Sequence, residues 1–329
     1  MTYLVGTDEA GYGPNLGPLV ISATLWDVPQ GVGSKDLYGR LSEVIASSSP
    51  QRGEGRQPGR EGRRKVVLAD SKALYQSGHG LAALERGLLA ALAVLGRRPT
   101  RWEEAWDALA PESGPARRAT PWCAGFDRPV PLDADPADVE PLADALRQVL
   151  AACGVRLLAV HSRAILEEEF NRLLHEEGSK GTVLSRATLG LVARLIEPLD
   201  KGPIAVLCDK HGGRSRYADL LGESFPGWFI GIHGEGRQQS VYRFGPAERR
   251  IEFSFVSKGE SHLPAALASM ASKYLRELAM LALNDFWCRH VPGLVPTAGY
   301  PADARRFKSA IGAAQQELSI EDDRLWRRR

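Results

Sequence analysis

Two carboxylates stand side by side near the start of the chain, Asp8 and Glu9, within VGTDEAGYGPNLGPLV (residues 5–20). An apolar run leads into them, and a loop with glycines at 11, 13 and 17 follows. Other acids stand where other apolar runs stop: Asp209 closes IAVLCD, and Glu260 follows FSFVSKG. Strands of an α/β sheet that end together present such residues on one edge, where ligands of these folds sit. Clustered carboxylates repel one another and resist ionisation unless cations neutralise them. Hard oxygen donors select Mg²⁺ or Mn²⁺ rather than zinc, and four carboxylates balance two divalent ions in formal charge. Two such ions, roughly 3.5–4 Å apart, stabilise both the attacking and the leaving oxygen of a phosphoryl transfer. Acids at strand ends also serve solubility and capping, so spacing alone leaves both readings open.

Several elements must position these residues. TYLVGTD, GPLVISATLW, VRLLAVHSR, IAVLCD and RIEFSFV read as strands, and KVVLADSKAL as a short strand entering a polar turn. LAALERGLLAALAVL, AILEEEFNRLL, TVLSRATLGLVARLI and LPAALASMASKYLRELAMLALNDF read as helices. Strands interleaved with helices predict an α/β fold around a mixed sheet. Neighbours on a regular strand point to opposite faces. Convergence of Asp8 and Glu9 therefore predicts a broken strand there, with Gly11 and Gly13 supplying the break. The glycine loop is not a dinucleotide fingerprint, because GYGPNLG does not fit G-x-G-x-x-G and a strand follows it.

The whole chain sets wider limits. Its 329 residues, 43% hydrophobic and 25% charged, are those of an ordinary globular protein. A net charge of +2 is too small to imply a nucleic-acid partner by itself. Cys123, Cys153, Cys208 and Cys288 lack the short pairing of zinc sites and are expected to be free thiols. With no signal peptide and no membrane-spanning run, the expected location is cytoplasmic, without a membrane partner. Residues 47–65 carry five arginines and a lysine against two glutamates and no apolar anchor. They are expected to form a mobile surface loop, with a phosphate-contacting arm as the other reading. Residues 100–140 hold Trp102, Trp106 and Trp122 with little periodicity and no assignable chemistry.

Six segments carry a family resemblance. DEAGYGPNLGPLV resembles the first motif of type 2 ribonucleases H, the ribonuclease HII and HIII family. ADSKAL (69–74), ILEEEFN (165–171), CDKHGGR (208–214), KGES (258–261) with its following helix, and TAGYPADARRF (297–307) are similar to further family segments in the family's order. The resemblance implies a ribonuclease H-like fold in residues 1–290, with insertions near 27–65, 100–145 and 211–250, and a helical extension over 291–329. It implies an enzyme that cuts the RNA strand of RNA/DNA hybrids, or ribonucleotides embedded in duplex DNA, with two Mg²⁺ or Mn²⁺ ions. Asp8, Glu9, Asp209 and Glu260 would be the catalytic metal ligands. Gly11, Tyr12 and Gly13 would meet sugar and phosphate, Tyr300 would stack on a sugar, and Ser71, Lys72, Arg214, Lys258 and Lys273 would contact phosphates. A monomer is the favoured state.

The chain departs from the family pattern in five respects. Glu260 stands where the family has aspartate, and Tyr12 where it has arginine or lysine. Ala298 replaces a basic residue, and the closing histidine is absent. Fifty residues lie between Asp209 and Glu260, more than is typical, and Lys210, Arg214, Arg216, Arg237 and Arg243 in that span suggest added backbone-binding surface. Two other readings stay open: a related nuclease whose substrate has moved, and a paralogue that binds nucleic acid without cutting it.

Overall fold

The computed structural model describes residues 2–48, 65–75, 80–257 and 259–328, without the side chain of Glu260. Residues 49–64, most of the expected mobile loop, lie outside that description, as does Lys258.

The chain opens with β1 (Thr2–Ala10) and β2 (Leu19–Val28), then α1 (Leu37–Arg40), a small pair β3 (Ile45–Ala46) and β4 (Val66–Val67), and α2 (Ser71–Leu74). Helices α3 (Ala82–Val94), α4 (Trp102–Leu109), α5 (Gly114–Ala119) and α6 (Val139–Ala152) lead to β5 (Arg156–Ile165). Next come α7 (Glu167–Glu177), α8 (Lys180–Ile196), β6 (Ile204–Asp209), α9 (Ala218–Ser224) and the strands β7 (Gly231–Glu235), β8 (Gln239–Phe244) and β9 (Ile251–Val256). Helices α10 (Leu263–His290), α11 (Pro301–Glu317) and α12 (Asp322–Leu325) follow.

Seven strands form one sheet in the order β5-β2-β1-β6-β9-β8-β7. β2 runs antiparallel to both of its neighbours, β5 and β1, while β1, β6 and β9 run parallel. The mixed sheet flanked by helices, with a helical C-terminal region, is the fold class expected from the sequence. Alternation sorts the central strands between two cores. Leu4, Val20 and Trp26 face α3, α4 and α10, whereas Val5, Leu19, Ile21 and Leu25 face α8 and the aromatic residues of β8 and β9. All ten residues of β2 are buried, because helices cover it on both sides. Since β1, β6 and β9 are parallel, their C-terminal ends, with Asp8, Glu9 and Asp209, share one edge.

Two stretches depart from the sequence reading. Residues 100–140 contain α4, whose buried Trp102, Ala105, Trp106 and Leu109 repeat at helical spacing. Trp102 Nε1 donates to Leu278 O of α10 at 2.9 Å, and buried Arg117 lies against the rings of Trp102 and Trp106. The span after Asp209 supplies β7 and β8, which widen the sheet beyond β9.

A buried carboxylate ties the first of these stretches down. Glu85, fully buried on α3, accepts from the backbone amides of Leu132, Asp133 and Ala134 and from Tyr274 Oη of α10. Burial and the neighbouring Glu85 push the Tyr274 hydroxyl far above its ordinary value. Glu85→Gln should lower the unfolding free energy by about 2–4 kcal/mol and Tyr274→Phe by about 1 kcal/mol. Urea denaturation of both variants checks the ranking, and a neutral Glu85→Gln would refute the anchor.

Candidate active site

Asp8 and Glu9 do not sit at a break. β1 continues through them in register with β2, Asp8 opposite Ser22, Glu9 opposite Ile21 and Ala10 opposite Val20. What ends early is the other ladder: β1 pairs with β6 only as far as Gly6 opposite Leu207. The expected convergence by strand breakage is therefore corrected. The two carboxylates stay on opposite faces of an intact strand and flank a gap in the sheet next to Asp209.

The pattern of interactions follows from that alternation. Asp8 hydrogen-bonds with Ser269 of α10, and Ser272 Oγ donates to the Asp8 carbonyl at 3.0 Å. Glu9 lies on the other face, within electrostatic reach of Tyr12. Burial is the main reason that both carboxyls are held well above the usual carboxylate range. Asp209 pushes both in the same direction, Asp8 adds to the rise of Glu9, and Lys72 opposes both rises. Asp8, Glu9, Asp209 and Lys72 are thus one electrostatic cluster. The 3₁₀ turn Gly259–Ser261, which carries Glu260, abuts the end of β6, and Gly259 N donates to Asp209 Oδ1 at 3.4 Å. Among the described residues, no group of three or more His, Cys, Asp or Glu side chains is close enough to hold a metal ion. The Glu260 side chain is not among them. As donors, the carboxylate oxygens suit Mg²⁺ or Mn²⁺, and their crowding favours a cation.

Ser71 reaches the same cluster from α2. Its Oγ lies 2.9 Å from Ser269 Oγ, and Ser269 Oγ in turn donates to Asp70 Oδ1 at 3.1 Å. A hydroxyl has one proton to give, so Ser269 serves either Asp8 or Asp70. The sequence reading missed Ser269 and Asp70; the one visible signal was Asp70 within ADSK. Lys273 is engaged elsewhere, paired with Glu277 and 4.2 Å from the centroid of Tyr75. Tyr300 caps α11 and is 58% exposed. Lys210 is turned inward, donating to Gly236 O at 2.6 Å and Ser240 Oγ at 3.2 Å. Arg243 pairs with Glu252 and Arg216 with Glu235, while Arg237 is exposed at the β7–β8 turn. A cleft of about 750 Å³ lies away from the carboxylates, between α5, α7 and residues 323–328.

The loop after β1 is bound from beneath. Arg276 of α10, buried, donates to Pro18 O at 3.0 Å and to Leu16 O and Ala298 O at 3.1 Å. Glu167 of α7 accepts from Gly17 N at 2.9 Å, and Asn15 N and Leu16 N donate to Gly299 O. Gly11 has φ +91°, and a Cβ there would collide with Pro18 O. Gly13 has open space around it. The amides of Tyr12 and Gly13 have no hydrogen-bond partner among the described residues. Tyr12 itself packs against the β8–β9 core with its hydroxyl directed at the Gly212–Gly213 turn after β6. Arg214 stands near that hydroxyl and also donates to Thr182 Oγ1 at 3.0 Å.

Fold and site together describe an α/β protein with acidic residues along one sheet edge. No protein-family model and no curated protein matches the chain. Among solved structures it is similar to Archaeoglobus fulgidus RNase HII in its complex with PCNA: 14% identity, TM-score 0.43, 99% of this chain and 94% of that one. Ribonuclease H2 of Pyrococcus horikoshii OT3 gives 13% identity, TM-score 0.44, and coverage of 98% and 92%. Bst-RNase HIII in complex with Mn²⁺ gives 14% identity, TM-score 0.41, and coverage of 99% and 66%. Likeness at this level decides no activity.

The Tyr12–Gly212 contact makes a test. Gly212 has φ +57°, and a Cβ there would stand 2.7 Å from Tyr12 Oη but 3.5 Å from the ring carbon that bears it. Gly212→Ala should cost about 1–2 kcal/mol from the left-handed backbone, plus the clash. In a Tyr12→Phe background the clash disappears and only the backbone cost remains. Urea unfolding of the four proteins measures this, and equal costs in both backgrounds would remove the contact.

Proposed function

We propose that this chain is a metal-dependent endonuclease of the type 2 ribonuclease H kind. Its substrate would be the RNA strand of RNA/DNA hybrids, or ribonucleotides embedded in duplex DNA. The observation that carries the reading is that Asp8, Glu9 and Asp209 stand at the ends of adjacent strands along one sheet edge, with Lys72 within electrostatic reach of Asp8 and Glu9. These are residues that the motif resemblance assigns to metal and phosphate, drawn from three separate segments.

Asp8, Glu9, Asp209 and Glu260 would hold two Mg²⁺ or Mn²⁺ ions. When bound, such ions activate water and stabilise the charge that develops on the attacking and leaving oxygens. The chain's own residues do the rest. Ser269 orients Asp8 by hydrogen bond, and the Gly259 amide steadies Asp209. The amides of Tyr12 and Gly13, without a hydrogen-bond partner among the described residues, suit a phosphate oxygen or a 2′-hydroxyl, the group that separates RNA from DNA. Arg214 and Lys72 add positive charge for the backbone, and the exposed Tyr300 ring is available for a sugar.

The experiment compares cleavage of a hybrid, a duplex with one ribonucleotide, plain DNA and plain RNA duplexes, each with Mg²⁺ or Mn²⁺. The expected outcome is cleavage of the first two only, leaving 3′-hydroxyl and 5′-phosphate ends. Asp8→Asn and Asp209→Asn should each abolish it. The melting temperature of Asp8→Asn without metal should hold or rise, because a charge disfavoured by burial and repulsion is removed. Full activity in either variant would sink the metal-ligand assignment. Glu260 is one methylene longer than the family's aspartate, and Mg²⁺ tolerates distortion poorly. Activity with Mn²⁺ should therefore at least equal that with Mg²⁺, and Glu260→Asp should shift the balance toward Mg²⁺ in metal-titrated rates.

A further inference from the structure

Beyond α11 the chain turns back and reaches the glycine loop from behind α7. Asn171 of α7 grips this returning segment. Its Nδ2 donates to Trp326 O at 2.8 Å and to Asp323 O at 3.1 Å, and its Oδ1 accepts from Arg328 N at 2.8 Å. Between those grips the segment meets the loop itself. Arg327 N donates to Asn15 O at 2.8 Å, and Asn15 Nδ2 donates to Arg327 O at 2.9 Å.

The Arg327 side chain then enters beneath the loop, where it is fully buried. One nitrogen, Nη2, donates to both Gly11 O and Pro14 O, and the guanidinium carbon lies 4.7 Å from the centroid of the Phe170 ring. Nε and Nη1 have no hydrogen-bond partner among the described residues. Burying a cation so incompletely bonded is costly, and an apolar side chain would fill the same volume at less cost. What an apolar side chain cannot supply is the tie between the carbonyls of residues 11 and 14, made here by the two protons of Nη2. With the Gly11 carbonyl bound to Arg327, the Tyr12 N–H of the same trans peptide points the opposite way, away from the guanidinium.

We propose that Arg327 is a positioning residue that sets the conformation of the Gly11–Asn15 loop, with residues 318–328 as the strap that delivers it. Its effect on cleavage rests on the nuclease reading above; its effect on the loop does not. The test uses the full chain with Arg327→Ala, Arg327→Lys or Asn171→Ala. Exchange of the hydrogen-bonded amides of Asn15, Leu16 and Gly17 is followed without metal or nucleic acid, and kcat and KM are then measured on the hybrid. Arg327→Ala should speed exchange in the loop by about tenfold or more, the scale of losing charge-assisted hydrogen bonds, and leave β1, β2 and α10 unchanged. It should lower kcat more than it raises KM. Sub-denaturing guanidinium, but not equal NaCl, should slow the loop again and restore part of kcat. Arg327→Lys, with a single point charge, should fall between wild type and Arg327→Ala. Asn171→Ala loosens the strap and spares the guanidinium, so it should give a smaller version of the same pattern even if Arg327→Ala does not fold. Unchanged loop exchange in Arg327→Ala, or faster exchange everywhere with no rescue by guanidinium, would overturn the proposal. If wild type cleaves none of the four substrates, the nuclease reading falls, and the exchange data still decide the strap.

Discussion

The carboxylate edge depends on how one loop is held, and two buried arginines and one buried glutamate hold it. Arg276 and Arg327 take the carbonyls of Gly11, Pro14, Leu16 and Pro18, while Glu167 takes the amide of Gly17. Burial pushes the Glu167 carboxyl up to about 7, against the pull of both guanidinium groups. Burial likewise pulls Arg327 down to about 9, and the nearby Arg276 adds to that fall. The two guanidinium groups disfavour each other, and Glu167 offsets that: removing it would leave two like charges buried side by side. The three come from α7, α10 and the segment after α12, so the loop is set only once distant parts of the chain have docked. That requirement makes the loop rigid where a run of glycines would otherwise leave it loose.

A rigid loop matters because of what lies just before it. β1 runs unbroken to Ala10, so Asp8 and Glu9 emerge on opposite faces of the sheet, one toward α10 and the other toward Tyr12. They share a single opening because the ladder between β1 and β6 stops at Gly6 and Leu207. Beyond that point the two parallel strands can splay, and Asp209 acts on both carboxylates at once. A gap between parallel strands therefore gathers acids that a regular strand would keep apart. The gap needs its walls fixed: Ser269 and Ser272 of α10 bind Asp8 on one side, and the Gly259 amide reaches Asp209 on the other.

Much of this was legible in the residues. Each main strand reads from its apolar run, and the acids at the strand ends mark the edge, because period and punctuation are local signals. Other features are not local. Arg327 lies 316 positions from Gly11, in the charged stretch EDDRLWRRR, which gives no local sign of burial. α4 was hidden because its short run of two tryptophans, an alanine and a leucine sits among prolines and acids. Side-chain partners were hidden as well. Lys210 and Lys273 look like phosphate contacts by neighbourhood, yet Lys210 secures the β7–β8 turn and Lys273 pairs with Glu277. A lysine's position along the chain says little about whether its charge is already engaged, since that depends on elements far away in sequence.

Tyr12 brings the local and the distant together. The motif resemblance places a cation between the two glycines, and a phenol there looks like a loss of positive charge. In the structure its ring joins the core formed with β8 and β9, and its hydroxyl lies against Gly212. Burial is the first cause that raises its pKa, the Glu9 charge adds to the rise, and Arg214 opposes it. Positive charge is therefore present on this side of the loop, supplied from the turn after β6 instead of from position 12. Tyr12 acts as a spacer between that turn and the loop, packing the segment after β1 against the turn after β6. A long, mobile cation at position 12 could reach a phosphate but could not join those two segments, whereas a rigid ring joins them and leaves the charge to Arg214.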